Sequence, residues 1–120
     1  KRARALYNGG NLPDALRALE AFIIRWPSHG YTDNALYLIG SGRYKRAEYR
    51  GALSMFRRVL SEHASGNQVA DALLMTGLTL ERLGKLDQAT EMLSRLKAMY
   101  PGTSAARRAA EALDGFGRRR

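Results

Sequence analysis

Residues 71–101 read DALLMTGLTLERLGKLDQATEMLSRLKAMYP, and this stretch decides the fold. Ala72, Leu73, Thr76, Gly77 and Leu80 recur at spacings of three and four, one stripe of a 3.6-residue helix. The run breaks at Leu83-Gly84-Lys85. Ala89, Leu93 and Leu96 then restore the helical spacing until Tyr100-Pro101-Gly102 ends it. Two amphipathic helices joined by a short glycine turn form a hairpin that cannot bury its apolar faces alone. No segment of the chain alternates with a period of two, so no sheet is expected.

Displaced by 37 residues, the chain matches itself. Ala15, Ala52 and Ala89 share a column, as do Leu19, Phe56 and Leu93, and then Phe22, Val59 and Leu96. Trp26, His63 and Tyr100 follow, then Ala35, Ala72 and Ala109, with Leu36 and Leu73 beside the first two. Gly40 pairs with Gly77, and Gly10 with Ala47 and Gly84. In the middle copy Ala52, Phe56, Val59, Leu60 and His63 form one helical stripe. Breaks fall at residues 8–11, 26–30, 65–67, 83–85 and 101–103, each holding Gly, Pro or a capping side chain. Thr32, Asp33, Asn67, Thr103 and Ser104 are candidate N-caps. The spacing predicts seven helices, near 2–9, 12–26, 32–46, 49–63, 67–83, 86–100 and 104–115.

These positions resemble the tetratricopeptide repeat, a pattern of large–x2–Leu–Gly–x2–Tyr, Ala–x3–Phe and Pro in about 34 residues. One unit reads Leu36-x2-Ile39-Gly40-x2-Arg43, Ala52-x3-Phe56, Ala64. The next reads Leu73-x2-Thr76-Gly77-x2-Leu80, Ala89-x3-Leu93, Pro101, and an incomplete first unit supplies Ala15-x3-Leu19 and Pro27. The resemblance implies an all-α superhelix of about three hairpins in a single domain. Its units fall near 1–31, 32–66 and 67–103, with a capping helix over 104–116 and a basic tail at each end. First helices would line the concave wall and second helices the convex one. Gly40, Ala52, Gly77 and Ala89 then serve close helix packing, and a large side chain there should cost roughly 1–3 kcal/mol. Trp26, in the column of His63 and Tyr100, is expected to fill a space between helices, so its truncation to Ala should cost roughly 3–5 kcal/mol.

Composition narrows the function. The chain has 120 residues, 45% of them hydrophobic, and no cysteine, which excludes disulfides, thiolate-held zinc, iron–sulfur clusters and thiol catalysis. No apolar run approaches the roughly 20 residues of a membrane span, so membrane insertion is not expected. Lys1 opens the chain with no signal-peptide pattern ahead of the fold, which reads as an excised or processed piece. The formal charge is +9, and 16 of the 20 basic residues are Arg, which raises nucleic acid as a partner. Six of those basic residues stand in the tails, at positions 1, 2, 4 and 118–120. Between residues 5 and 117 there are 14 basic and 11 acidic residues, a net +3. Dispersed charge of this size argues against nucleic acid, leaving a basic nucleic-acid-binding repeat as an alternative only. No His/Asp/Glu spacing offers three or four metal ligands, and no Gly-rich phosphate loop follows a strand. The expectation is a protein with no catalytic site, no metal and no cofactor.

A concave groove that takes a peptide or helix is what such an architecture offers. The repeat register places Tyr7, Asn34, Tyr37, Ser41, Tyr44, Lys45, Asp71, Leu74, Leu78, Glu81 and Arg82 on it. Their aromatic and amphipathic mixture is that of an interface. Tyr37→Ala and Tyr44→Ala are expected to weaken partner binding and spare stability. The Lys and Asn set by which chaperone-tail-binding repeats hold a C-terminal carboxylate is missing.

The order of units carries a narrower resemblance. Trp26-Pro27-Ser28, Asn34-Ala35-Leu36-Tyr37, Asp71-Ala72-Leu73 and Tyr100-Pro101-Gly102 are similar to phrases of the Tol–Pal-associated periplasmic cell-division coordinators, the YbgF/CpoB family. Leu38 stands where that family has Trp, Ser41 where it has Glu, and His63-Ala64 where it has Tyr-Pro. The resemblance implies a periplasmic, non-enzymatic adaptor that binds the Tol protein A and couples envelope constriction to septal wall synthesis. Its signal peptide and trimerising coiled coil are not in this chain, so the chain is expected to be a monomer or weakly associated. A sibling resemblance is to the outer-membrane lipoprotein that helps assemble β-barrels, whose repeats carry similar Tyr-Pro and Asn-Ala phrases.

Overall fold

The structure is a computed structural model that describes residues 12–26, 32–62 and 68–119. The expected first helix near 2–9, together with Tyr7, His29, His63 and Asn67, lies outside the described residues. Six helices and no strand occur among them: α1 (Leu12–Arg25), α2 (Thr32–Lys45), α3 (Tyr49–Glu62), α4 (Val69–Arg82), α5 (Leu86–Met99) and α6 (Ser104–Arg119). Each packs against the next in sequence, α2 also touches α4, and α4 also touches α6. By contrast α1, α3 and α5 do not touch one another. The helices therefore form two layers, and the layer whose members meet is the shorter, inner side of the stack.

The repeat columns are the core. Ala15, Leu19, Ala52, Phe56, Val59, Ala89, Leu93 and Leu96 are fully buried. Leu16, Leu19, Ile23, Ala35, Leu36, Ile39, Val59 and Ala72 make one cluster at the α1–α2–α3 end. A second joins Leu53, Leu73, Leu74, Leu80, Leu93 and Leu96 to Ala105, Ala109 and Phe116 of α6. Burying each large side chain contributes roughly 1.5–3 kcal/mol, and the two clusters meet across α3 and α4.

Small residues set the helix approach as the echo predicts. A Cβ on Gly40 would stand 2.7 Å from a ring carbon of Phe56. Its counterpart on Gly77 would stand 2.7 Å from Cγ of Leu93, the residue that shares the column of Phe56. Gly42 is a third such site, facing Leu16 at 2.8 Å, and its column gave no hint of it.

The turns repeat as well. After α2 the amide of Ala47 donates to Tyr44 O at 2.9 Å and that of Glu48 to Arg43 O at 2.8 Å. After α4 the amide of Gly84 donates to Glu81 O at 3.0 Å and that of Lys85 to Leu80 O at 2.9 Å. Both are Schellman ends, which need one residue in the left-handed region. Gly84 takes φ +80° and Ala47 takes φ +61°. Thr103 caps α6, its hydroxyl accepting from the Ala106 amide at 3.1 Å and donating to Tyr100 O at 2.8 Å. Thr32 instead opens α2 and donates to Trp26 O at 2.7 Å, closing the chain between α1 and α2.

Three expectations change. α4 begins at Val69, not 67, and α6 runs to Arg119, not 115. The extra turn exists because Phe116 is only 6% exposed, and its burial outweighs the helix cost of Gly115 and Gly117. Trp26 does not fill a space between helices. It is 45% exposed at the end of α1, beside Phe22 at 5.2 Å and under the Arg25 guanidinium at 4.9 Å. With half its area already in water, Trp26→Ala should cost about 1 kcal/mol, a small shift in the thermal unfolding midpoint.

Candidate functional site

On the inner layer, α2 and α4 run side by side and present a patch of aromatic and charged side chains. Spacings of four and three put Tyr37, Ser41 and Tyr44 on one face of α2. Opposite them stand Leu78, Glu81 and Arg82 of α4. Arg82 Nε donates to Tyr44 Oη at 3.3 Å, a bond that ties the two helices together across 38 residues of chain. The bond, then the charges of Tyr44, Tyr49 and Glu81, raise the Arg82 pKa above its ordinary value, so this guanidinium stays charged. Glu81 reaches it only at 3.9 Å.

The rings have structural duties. Tyr37 leans on Phe56 at 5.7 Å, and Tyr44 meets Tyr49 edge-on at 5.2 Å. Both Tyr37 and Tyr44, with Leu78, pack over a small buried cluster of Ala52, Phe56 and Met75. Tyr37→Ala and Tyr44→Ala would therefore destabilise the hairpin, contrary to the sequence expectation that they spare stability, since a tilted aromatic pair adds about 0.5–1.5 kcal/mol to area burial. Both rings are half-buried, so part of each remains at the surface.

Each remaining expected groove residue has a definite place. Asn34 is half-buried and its Oδ1 accepts from Gln68 Nε2. Ser41, Asp71 and Leu78 are half-buried, and Lys45 and Arg82 are exposed. Leu74 is not on the surface: at 1% exposed it belongs to the core with Leu73, Leu93 and Leu96. Met75, one position on and so turned by 100°, lies beneath the aromatic patch in its stead. Tyr49, at the start of α3, is a member of the patch that the groove register passed over. The signal for it was its position as the first residue of the helix expected over 49–63, directly after the end of α2.

The patch can do what an interface does. It offers half-buried tyrosines beside an exposed arginine and an exposed lysine, a mixture of aromatic and basic residues found at interfaces. Among the described residues no group of three His, Asp or Glu could hold a metal ion, and no helix is long and apolar enough to cross a membrane.

Known proteins share the repeat and the fold. Family models of the tetratricopeptide repeat match residues 71–103 and residues 1–36. Over 99 residues the chain is 27% identical to the outer membrane protein assembly factor BamD of Pasteurella multocida (strain Pm70), a match covering 76% of this chain and 38% of that protein. The chain thus spans well under half the length of this relative. The crystal structure of MamA superposes with a TM-score of 0.70 at 22% identity, over 98% of this chain and 68% of that one. That likeness is one of fold.

Proposed function

Tetratricopeptide repeats build this chain, and from that premise we propose that it is a non-enzymatic protein-binding scaffold of the bacterial envelope, working in the periplasm as one repeat domain. The α2–α4 patch carries the reading: aromatic edges and fixed cations gathered on the inner layer of a repeat stack, where a partner segment meets several units at once. The bound segment lies across Tyr37, Ser41 and Tyr44 on one side and Leu78 and Arg82 on the other, with Asn34, Lys45, Asp71 and Glu81 along the rim.

The envelope setting rests on two supports. The likeness to an outer membrane protein assembly factor favours a role beside β-barrel assembly. The phrases around Asn34, Asp71 and Tyr100 favour a Tol–Pal-associated adaptor that binds the Tol protein A during constriction.

One pair of binding assays separates these. The chain and its Lys45→Glu/Arg82→Glu variant, both sites exposed, are tested against the periplasmic domain of the Tol protein A and against purified partners of the β-barrel assembly machinery. Binding to one of the two, weakened about tenfold or more in the variant while circular dichroism shows the helices retained, is the expected outcome. Failure of the full-length protein to bind either would overturn the envelope assignment. Binding that the variant leaves intact would move the site off the inner face.

A further inference from the structure

The outer face of α3 carries a second surface of different chemistry. Arg50, Ser54, Arg57, Arg58 and Ser61 line an open groove of about 600 Å3, joined by Leu83 and Lys85 from the turn between α4 and α5. Their positions follow one helical stripe, and Leu53, 7% exposed, forms the floor. Four cations line this groove and no carboxylate does. Arg58 is the one partly neutralised, by Glu62 of the same helix at 3.3 Å. Arg50, Arg57 and Lys85 make no ion pair among the described residues. Like charges on one helix face repel, so this arrangement lowers stability until an anion sits among them.

The dimensions choose among anions. From Arg50 to Ser61 the stripe runs about 16 Å along the helix, and Arg50 and Arg57 are about 10 Å apart along it. That spread lays the cations out in a line rather than round a single point. It matches about five residues of extended chain, in which side chains on one side recur every ~6.6 Å. A recessed channel with an apolar floor and flanking serines suits a peptide backbone with spaced carboxylates, whereas a bilayer would meet protruding cations on a flat face.

We propose that the groove along the outer face of α3 is a second docking site, taking an extended acidic segment of a partner protein with Asp or Glu at alternate positions. This site is independent of the inner-face reading. The two sites lie on opposite layers, so one partner could occupy each.

Fluorescence anisotropy with a labelled peptide of alternating glutamate and serine, and its glutamine counterpart, tests the proposal. The glutamate peptide is expected to bind, to weaken at least about tenfold when salt rises from 50 to 300 mM, and to bind better than the glutamine peptide. Arg50→Gln/Arg57→Gln should weaken it about tenfold, while Arg95→Gln/Arg107→Gln, which removes the same charge elsewhere, and Lys45→Glu/Arg82→Glu leave it within twofold. Both groove arginines are exposed, and circular dichroism checks that the variant keeps its fold. Equal weakening in the Arg95/Arg107 variant, or equal binding of the glutamine peptide, would overturn the site. So would binding to phosphatidylglycerol vesicles that depends on Arg50 and Arg57 when the peptide does not bind, because the groove would then belong to a membrane.

Discussion

Ala47 sits in a backbone conformation that suits glycine. Its φ of +61° closes the Schellman end of α2, and the same column holds Gly84 at +80° one repeat later. An L side chain in this region costs about 1 kcal/mol, and Ala47 is exposed, with no packing in return. Ala47→Gly should therefore raise stability by up to about 1 kcal/mol, a gain of roughly 3–6 °C in the thermal unfolding midpoint. An unchanged or lowered midpoint would mean that the turn stores no strain. The column of Gly10, Ala47 and Gly84 was legible in the sequence as a run of small residues. Its backbone angle was not, because alanine and glycine look alike when only size is read. Leu74 and Met75 pose the same difficulty: both are apolar, and a 100° rotation decides which one lies beneath the patch.

Helices were far easier to read than the faces they present. The boundaries of α1, α2, α3 and α5 follow the apolar columns and the Gly and Pro breaks to within one residue, since those breaks carry the chain's turn chemistry. The end of α6 escaped for a physical reason. Gly115 and Gly117 argue for a stop, each costing about 1 kcal/mol inside a helix, and only tertiary burial of Phe116 reverses that. Phe116→Ala should consequently cost about 3–4 kcal/mol and shorten the helix, read as lost stability in urea together with lost helical ellipticity. Loss of stability with full ellipticity would show that the last turn stands without its anchor. Helix α4 is the opposite case. It is buried on nearly every side, from Val69 to Leu80, so its inward and outward faces cannot be told apart by hydrophobicity. Leu78 and Arg82 lie beside Tyr44 of α2, as the repeat register rather than the helix's own pattern suggests, while Leu74 from the same register is buried.

Across the whole molecule, aromatic and basic side chains divide between two layers that share one stack. Outside the basic tails the net charge is only +3, and the described structure spreads arginine over both faces in unequal settings. Arg82 is held by tyrosine on the inner side, Arg43 is locked to Glu20 at 2.9 Å between helices, and Arg50 and Arg57 stand unpaired outside. The alternation of contacts also makes the stack mechanically uneven. Helix α4 touches α2, α3, α5 and α6, whereas α1 touches only α2 among the described helices. Pulled from its two ends, the protein should part first at the seam between α1 and α2, with α4 and its neighbours holding to higher force. Optical-tweezer traces would show this as a low-force step followed by a larger one, and a single rip of the whole chain would refute it. Such a seam is a fuse: it yields under tension while α4 and the helices packed on it remain folded.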